Sequence, residues 1–307
     1  MSILSKSKQP LRAARLFRLA GLFRLAGLAK LAGTAPFACL VMALCLAAWQ
    51  WSISPAAAQP LLKEKQGINL TIWTFDYPQD LTFLKNESST QIAYLAGHAR
   101  IVEGRVYFRS NKKTLKIPSN LTKFPVIRVE TAGLIKKEAI EPLVKVFIDE
   151  VKRSGAKKVQ VDFDARQNER QFYASFLQKL KENLTVQSLA DVKISITALA
   201  SWSLEPDFLP PVVNERVLML FSMGQGEEKI VAALSEALSK EIDGRGRRFS
   251  EADSEELCLG IGTFEGAVNE KVGVFFPKCR NWYVFNAHSW SEASYGRAKK
   301  LVKTLSR

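Results

Sequence analysis

The stretch VQVDFDARQNER, residues 159–170, contains the alternation from which the fold can be worked out. Its two valines and its phenylalanine alternate with Gln160, Asp162 and Asp164, which is the two-residue period of a β-strand. Both carboxylates therefore share one face of the predicted strand. Like charges placed together cost free energy unless solvent, a cation or a substrate compensates them. The pair is consequently a candidate functional site.

Eight strand-like apolar segments follow one another along the chain, and stretches with a helical period separate most of them. Alternating strands and helices indicate a parallel sheet wrapped by helices. Eight such units in about 250 residues predict a single (β/α)8 TIM-barrel-like domain, with an open doubly wound sheet as the alternative. The predicted strands cover 68–75, 92–97, 124–130, 158–164, 192–199, 215–222, 257–263 and 281–286, and the predicted helices cover 136–155, 168–184, 227–242 and 291–305.

One connection departs from this pattern. The second strand is followed by ARIVEGRVYFRSNKKTLKIP, residues 99–118, which has no helical period. We predict an extended hairpin there, with its turn at Glu103 and Gly104.

The first 58 residues differ in composition from the rest of the chain. They contain seven Lys or Arg and no Asp or Glu, and they include an apolar run at 35–51 and three alanines at 56–58. This order predicts a secretory signal peptide that is cleaved after Ala58, so that 59–307 forms the barrel domain of a periplasmic or secreted protein. An uncleaved anchor is the alternative, because the apolar run is near the shortest length that spans a bilayer.

Net charge limits the partners. The chain carries +14, of which the first 58 residues supply +7, which leaves +7 on residues 59–307. A modest positive field suits anionic envelope polymers or lipid headgroups, whereas nucleic-acid binding calls for a basic stripe with interleaved aromatic residues. We therefore expect a carbohydrate partner, no nucleic acid, contact with a membrane only if the signal is uncleaved, and a monomer.

Two of the four cysteines, Cys258 and Cys279, lie beyond the predicted signal. A pair of cysteines in an oxidising compartment predicts a disulfide, which would stabilise the fold by roughly 3 kcal/mol for a loop of about 20 residues. Two buried thiols are the alternative.

The carboxyl ends of the strands form the active face of such a barrel, and acidic, aromatic and amide side chains predominate there. Carboxylates accept hydrogen bonds from sugar hydroxyls, aromatic rings stack on sugar faces, and glycoside cleavage uses paired carboxylates. We therefore predict Asp162, Asp164 and Glu130 as catalytic residues. The predicted substrate-binding residues are Trp73, Asp76, Arg128, Arg166, Trp202 and Asn286.

Several of these side chains have structural alternatives. Asp164 or Asn168 is suited to capping the helix that follows, and Trp73 and Trp202 are suited to core packing. Arg128 could hold a substrate or pair with the glutamate two residues after it.

Motifs of other catalytic classes are absent from the sequence. It has no GxSxG elbow, and its two histidines, His98 and His288, lack the spacing of a zinc motif. The glycines of GIGTFEG, residues 260–266, do not match a dinucleotide-binding loop. We predict no cofactor and no metal.

Four segments resemble a known family: VQVDFDARQNERQFYASFLQKL, SITALASWS, VLMLFSMG and NWYVFNAHSW. They are similar to a bacterial domain-of-unknown-function family (number three-one-four-two), whose members show DFDA, SITALASW and MLFRMG segments. The resemblance spans residues 72–290 and implies an exported glycosidase-type barrel with no assigned reaction. Two positions depart from the family: Ser203 replaces a frequent cysteine, and Ser222 replaces a frequent arginine.

The DFD segment is also similar to the DxxDxDxE strand of chitinase-like glycosidases, in which the final glutamate is the general acid. Arg166 occupies that position here, and a guanidinium cannot donate a proton in that role. The resemblance therefore implies that an acid comes from another strand, with four candidates: Asp76, Glu130, Glu205 and Glu265.

Two functional hypotheses follow. The first is an exported carbohydrate-active enzyme, a glycoside hydrolase that uses carboxylates at strand ends. The second is a catalytically inactive barrel that binds an envelope glycan or a protein partner, which Arg166 favours. A membrane-tethered structural protein is a third and requires an uncleaved signal.

Overall fold

The computed structural model describes residues 69–204, 211–223, 227–242, 256–264 and 281–305. Four helices are present in these ranges: α1 (Ile140–Ser154), α2 (Arg170–Val186), α3 (Glu227–Ile242) and α4 (Glu292–Leu305). The strands are β1 (Asn69–Thr74), β2 (Gln79–Asp80), β3 (Thr90–Val102), β4 (Arg105–Ser110), β5 (Leu115–Lys116), β6 (Thr122–Ala132), β7 (Lys158–Asp162), β8 (Lys193–Leu199), β9 (Glu215–Met219), β10 (Glu256–Gly262) and β11 (Asn281–Phe285).

Eight of these strands close into a parallel barrel in chain order: β1, β3, β6, β7, β8, β9, β10 and β11. Closure is achieved by β1, which pairs in parallel with β11 on one side and with β3 on the other. The predicted (β/α)8 architecture is confirmed, and the open doubly wound sheet is wrong because a closed sheet has no edge at β1.

The alternation read from the sequence separates the inside of the barrel from the outside. Val159 and Val161 belong to the core between the strands and the helices, while Gln160 is fully buried and bonds to Trp73 and Ser195 from other strands. Apolar side chains that, like Gln160, face the inside of the barrel fill its interior, among them Trp73, Leu95, Phe124, Val217, Cys258 and Phe285.

Helix α1 covers the outer face of the sheet and packs on α2, with the rings of Phe147 and Phe176 5.2 Å apart. It ends where Gly155 adopts a left-handed conformation, φ 63°, and donates its N–H to the carbonyl of Val151. Glycine takes this backbone geometry without a steric penalty.

The predicted hairpin is confirmed. Strand β4 pairs antiparallel with the second half of β3, and the turn lies at Glu103 (φ 49°) and Gly104 (φ 83°). Two consecutive positive φ angles produce a turn whose twist matches that of the strands. The hairpin extends β3 beyond the length of most other barrel strands, and this extension borders the site described next.

None of the described helices is long and apolar enough to cross a bilayer. The apolar run at 35–51, on which the signal and anchor alternatives depend, lies outside the described residues.

Candidate active site

A pocket of about 300 Å³ opens at the carboxyl ends of the barrel strands. Its charged lining residues are Arg128 from β6, Asp162 at the end of β7 and Asp164 two residues beyond it, and Ser201 and Ser222 also line it. Most of the remaining surface is apolar, with four aromatic side chains: Trp73, Phe75, Phe221 and Phe285. A concave apolar surface with a few convergent polar groups is typical of a small-molecule or glycan site.

Arg128 is the centre of the charged groups. Its Nη1 lies 3.7 Å from Asp162 Oδ2, its Nη2 lies 3.8 Å from Asp164 Oδ2, and its Nε lies 3.7 Å from Glu130 Oε1. The three predicted catalytic carboxylates therefore surround one guanidinium. The register explains the arrangement, because Arg128 pairs directly with Asp162 across the parallel strands, and Glu130 is two residues farther along the same face.

Asp162 is the more buried of the two aspartates, with 5% of its surface exposed. Its Oδ1 accepts a hydrogen bond of 2.8 Å from Thr197 Oγ1 on β8. The pKa of Asp162 is raised to about 6, mainly by burial; the charge of Arg128 and the hydrogen bond from Thr197 lower it, and the negative charge of Asp164 raises it. This carboxyl consequently takes up a proton in a pH range where an ordinary aspartate is ionised.

Asp164 reaches the opening of the pocket, and its side chain is 47% exposed. Partial burial raises its pKa, and Arg128 opposes this rise. The pocket thus holds one deep and one accessible carboxyl, coupled through a shared cation.

A second charged cluster adjoins Arg128. His98, on β3, lies with Nδ1 3.4 Å from Glu130 Oε1 and Nε2 3.9 Å from Asp76 Oδ2. Arg109, on β4, approaches Asp76 to 3.7 Å. Sequence reasoning did not select His98 for the site, although its position opposite Arg128 in the parallel register brings it there. Within the described part of the chain, no three His, Cys, Asp or Glu side chains converge to hold a metal ion.

Trp73 borders the pocket, but it is only 1% exposed and its ring packs in the barrel core, as the core-packing alternative predicted. It lines the pocket with its ring 4.5 Å from that of Phe75 and 5.4 Å from that of Phe285. Its indole N–H donates to Gln160 Oε1 at 2.8 Å, which fixes the orientation of the ring.

Two of the predicted substrate-binding residues are corrected by their surroundings. Trp202 is 3% exposed and packs in the core with its ring 6.0 Å from that of Tyr173, away from the pocket. The side-chain amide of Asn286 forms hydrogen bonds within the protein. Its Oδ1 accepts from Thr263 Oγ1 at 2.7 Å, and its Nδ2 donates to the carbonyl of His288 at 2.9 Å.

Arg166 is exposed and does not line the pocket, which contradicts its predicted contact with substrate. Its backbone N–H donates to Glu169 Oε2 at 2.7 Å, and Glu169 Oε1 accepts from Thr131 Oγ1 at 2.8 Å. Glu169, and neither Asp164 nor Asn168, therefore accepts the free backbone N–H at the start of the 3-10 turn Gln167–Glu169 that leads into α2, and α2 itself has no side-chain cap.

Three predictions fall wholly or partly outside the described residues. Cys258 is buried in the barrel interior, but Cys279 is outside those ranges, so the disulfide stays a prediction. Glu205 and Glu265, two of the four candidate acids, also lie outside them.

Known structures share this fold. A Streptomyces coelicolor protein assigned as chitinase A matches with a TM-score of 0.52 and 11% identity, over 78% of this chain and 98% of that one. A family GH18 chitinase catalytic domain from the fern Peteris ryukyuensis matches with a TM-score of 0.48 and 11% identity, over 77% and 98%. The class V chitinase of Nicotiana tobaccum gives 0.47 and 9%, over 78% and 99%.

No protein-family model and no curated protein sequence matches the chain. The first of these structures shares the TIM-barrel architecture of this chain. At 11% identity the likeness concerns the fold alone.

Proposed function

We propose that the protein is a carbohydrate-active enzyme that hydrolyses glycosidic bonds at the pocket bounded by Asp162 and Asp164. The observation that carries the proposal is the pair of carboxyls with raised pKa values on one wall of an aromatic-lined pocket at the active face of the barrel. Such a pair supplies a proton to the departing glycosidic oxygen while a nearby charge stabilises the positive sugar ring; water then adds to the anomeric carbon and returns a proton to the donor carboxylate.

Asp164 is the proton donor in this proposal because it is the accessible member of the pair. Asp162 lies deeper, and its pKa of about 6 means that this carboxyl holds a proton at mildly acidic pH. After the proton leaves Asp164, the guanidinium of Arg128 beside it stabilises the resulting carboxylate. The partly exposed rings of Phe75 and Phe221 supply flat apolar surfaces for the sugar faces.

The test is the release of reducing ends from a panel of polysaccharides by the full chain, compared with Asp164→Asn and Asp162→Asn. We expect Asp164→Asn to lower the rate by roughly 10²–10⁴-fold, the usual contribution of a general acid. The rate of the parent should fall as the pH rises through the raised pKa of Asp164, because the donor then loses its proton.

Asp149→Asn is the matched control, because this aspartate is an exposed residue of α1 that pairs only with Lys145 among the described residues. Its rate should equal that of the parent. A variant Asp164→Asn that retains full activity would remove this residue from the mechanism.

Glycan binding without hydrolysis is the second candidate. Arg128 contacts all three carboxylates, so the charge that a catalyst would use is partly neutralised. Saturable binding of a polysaccharide that is never cleaved would support this function over hydrolysis.

We also propose that the chain is exported and cleaved after Ala58, which the composition of residues 1–58 supports. Sequencing of the protein from the envelope or medium should give an N-terminus at Gln59. An intact N-terminus in the membrane fraction would favour the anchor instead.

A further inference from the structure

Three strand segments rise beyond the ring of the barrel on one side of the pocket. They are Gly97–Val102 of β3, the whole of β4, and Arg128–Ala132 of β6. The pairing of β6 with β7 ends at Arg128 and Asp162, and beyond this point β6 continues to pair only with β3. We call this three-stranded extension the wall.

One face of the wall continues the surface of the pocket. Paired residues lie on the same face of a sheet, and alternate residues return to it. The register places three rows on this face: Asp162, Arg128, His98 and Arg109; then Glu130, Arg100 and Tyr107; then Ala132, Val102 and Arg105. Arg128 and Asp162 of the first row line the pocket, so the next two rows lead away from it.

The opposite face holds the wall in place. Ala99, Ile101 and Val129 are buried in the core, and α1 packs against β4. At Gly97 the ring of Phe108 lies 2.7 Å from the position that a Cβ would take, so the two strands are in close contact. The wall is therefore a packed element with one apolar and one solvent-facing side.

The solvent-facing side is rich in arginine. Arg100, Arg105 and Arg109 are exposed, and Tyr107 between them is 54% exposed. Among the residues that the structure describes, Arg100 and Arg105 form no ion pair, whereas Arg109 pairs with Asp76 at 3.7 Å. Glu130 is the one carboxylate in the second and third rows.

This combination selects a class of ligand. Guanidinium groups bind carboxylate, sulfate and phosphate oxygens through paired hydrogen bonds, and an exposed tyrosine offers a flat face to a sugar ring. Arg100 and Arg105 lie on adjacent strands, which are about 4.8 Å apart, so both can contact neighbouring charges of one ligand chain.

We propose that the wall binds a negatively charged polysaccharide and guides it into the pocket, which makes the substrate an anionic glycan. The inference rests on the proposed carbohydrate function and specifies its substrate class. Charge complementarity and the continuity of the wall with the pocket support this ligand over a neutral glycan.

The test measures binding of dextran, carboxymethyl dextran, dextran sulfate and polyglutamate to the full chain at low salt. Dextran and its derivatives share one sugar backbone and differ in charge, and polyglutamate carries the charge without the sugar. We expect at least one charged dextran to bind tenfold more tightly than dextran and than polyglutamate, with an affinity that falls as salt is added. The variant Arg100→Gln, Arg105→Gln should weaken that binding by roughly tenfold.

Arg297→Gln is the control, since this arginine is exposed on α4, outside the wall, and its binding should equal that of the parent. Equal affinity for charged and neutral dextran, or unchanged binding by the double variant, would overturn the inference. Binding of polyglutamate as tight as that of the charged dextrans would overturn it in favour of an acidic polypeptide.

The same measurements on Asp162→Asn, Asp164→Asn separate this inference from the proposed hydrolysis. Charge-dependent binding through Arg100 and Arg105 with no reducing-end release from any glycan keeps the inference and removes the hydrolysis. Hydrolysis of neutral glycans alone, at a rate that the Arg100→Gln, Arg105→Gln variant keeps, would retain the proposed hydrolysis and overturn the inference about the wall.

Discussion

The buried carboxylate of Asp162 lowers the stability of the folded protein. Its pKa is about 6 in the folded protein against 3.8 for an ordinary aspartate, mainly because it is buried. The folded state therefore binds more protons than the unfolded state between about pH 4 and 6, so stability falls as pH rises through that range. Above it, the buried charge costs roughly 3 kcal/mol, the equivalent of about two pKa units.

We accordingly expect Asp162→Asn to raise the free energy of unfolding at pH 7 by up to about 3 kcal/mol. The gain should disappear below about pH 4, where both side chains are neutral. Urea unfolding of the two proteins at pH 7 and pH 4 measures the difference. A gain of the same size at both pH values would mean that packing, and not the buried charge, separates them.

Arg128 provides a second prediction at this scale. Its positive charge lowers the pKa of both Asp162 and Asp164, so Arg128→Gln should move the titration of both carboxyls to higher pH. Carbon-13 NMR of the labelled carboxyl groups follows this directly and does not depend on activity. Unchanged titration would show that Arg128 is too well solvated to act on them.

Single residues also mark the limit of sequence reasoning. Trp73 and Trp202 both stand near strand ends, but Trp73 is within β1, where the two-residue period fixes which face it occupies. Trp202 falls in the 3-10 turn after β8, where this period no longer applies. Phe221 and Phe285 went unselected because an apolar side chain near the end of a strand is normally interpreted as core.

At the level of elements, regular periods made the strands, the helices and the β3–β4 hairpin predictable. The contacts of Arg128 with carboxylates from two strands required the register between β6 and β7, and a single strand does not specify its register with its neighbour.

Gly97 tests how the hairpin is held. An added Cβ would lie 2.6 Å from the carbonyl oxygen of Arg109 and 2.7 Å from the ring of Phe108, so Gly97→Ala must displace β4. We expect a loss of roughly 1–3 kcal/mol of stability and weaker binding of charged dextran.

Gly296→Ala on α4 is the matched control for Gly97→Ala. Nothing lies within 4 Å of its added Cβ, so this helical substitution should raise stability by about 0.5–1 kcal/mol. Thermal unfolding compares the two. An equal change in stability for Gly97→Ala and Gly296→Ala would contradict the close packing of β4 on β3.

On the scale of the whole molecule, the two ends of the barrel interior carry different chemistry. The pocket lies at the carboxyl ends of the strands, whereas Lys158 and Glu215 lie at the amino ends of β7 and β9 with Nζ 3.2 Å from Oε2. Ser195 Oγ donates to Glu215 at 2.6 Å, Tyr283 also donates to it, and Lys158 lies 4.0 Å above the ring of Phe124. In barrels of this kind, the amino-terminal end serves stability and the carboxyl-terminal end serves function.

This division predicts opposite effects at the two ends. Lys158→Met leaves the charge of Glu215 buried without its cation, which should cost about 3–5 kcal/mol of stability, while the remaining folded protein binds charged dextran as the parent does. Arg100→Gln, Arg105→Gln should lose binding and keep its stability within about 0.5 kcal/mol, as exposed substitutions usually do. Urea unfolding and dextran binding of both variants measure these effects. A third variant, Lys158→Met, Glu215→Gln, tests whether removing both charges restores stability. Loss of binding in folded Lys158→Met would show that the buried pair also shapes the pocket, because Gln160 and Ser195 connect Glu215 to Trp73 through hydrogen bonds.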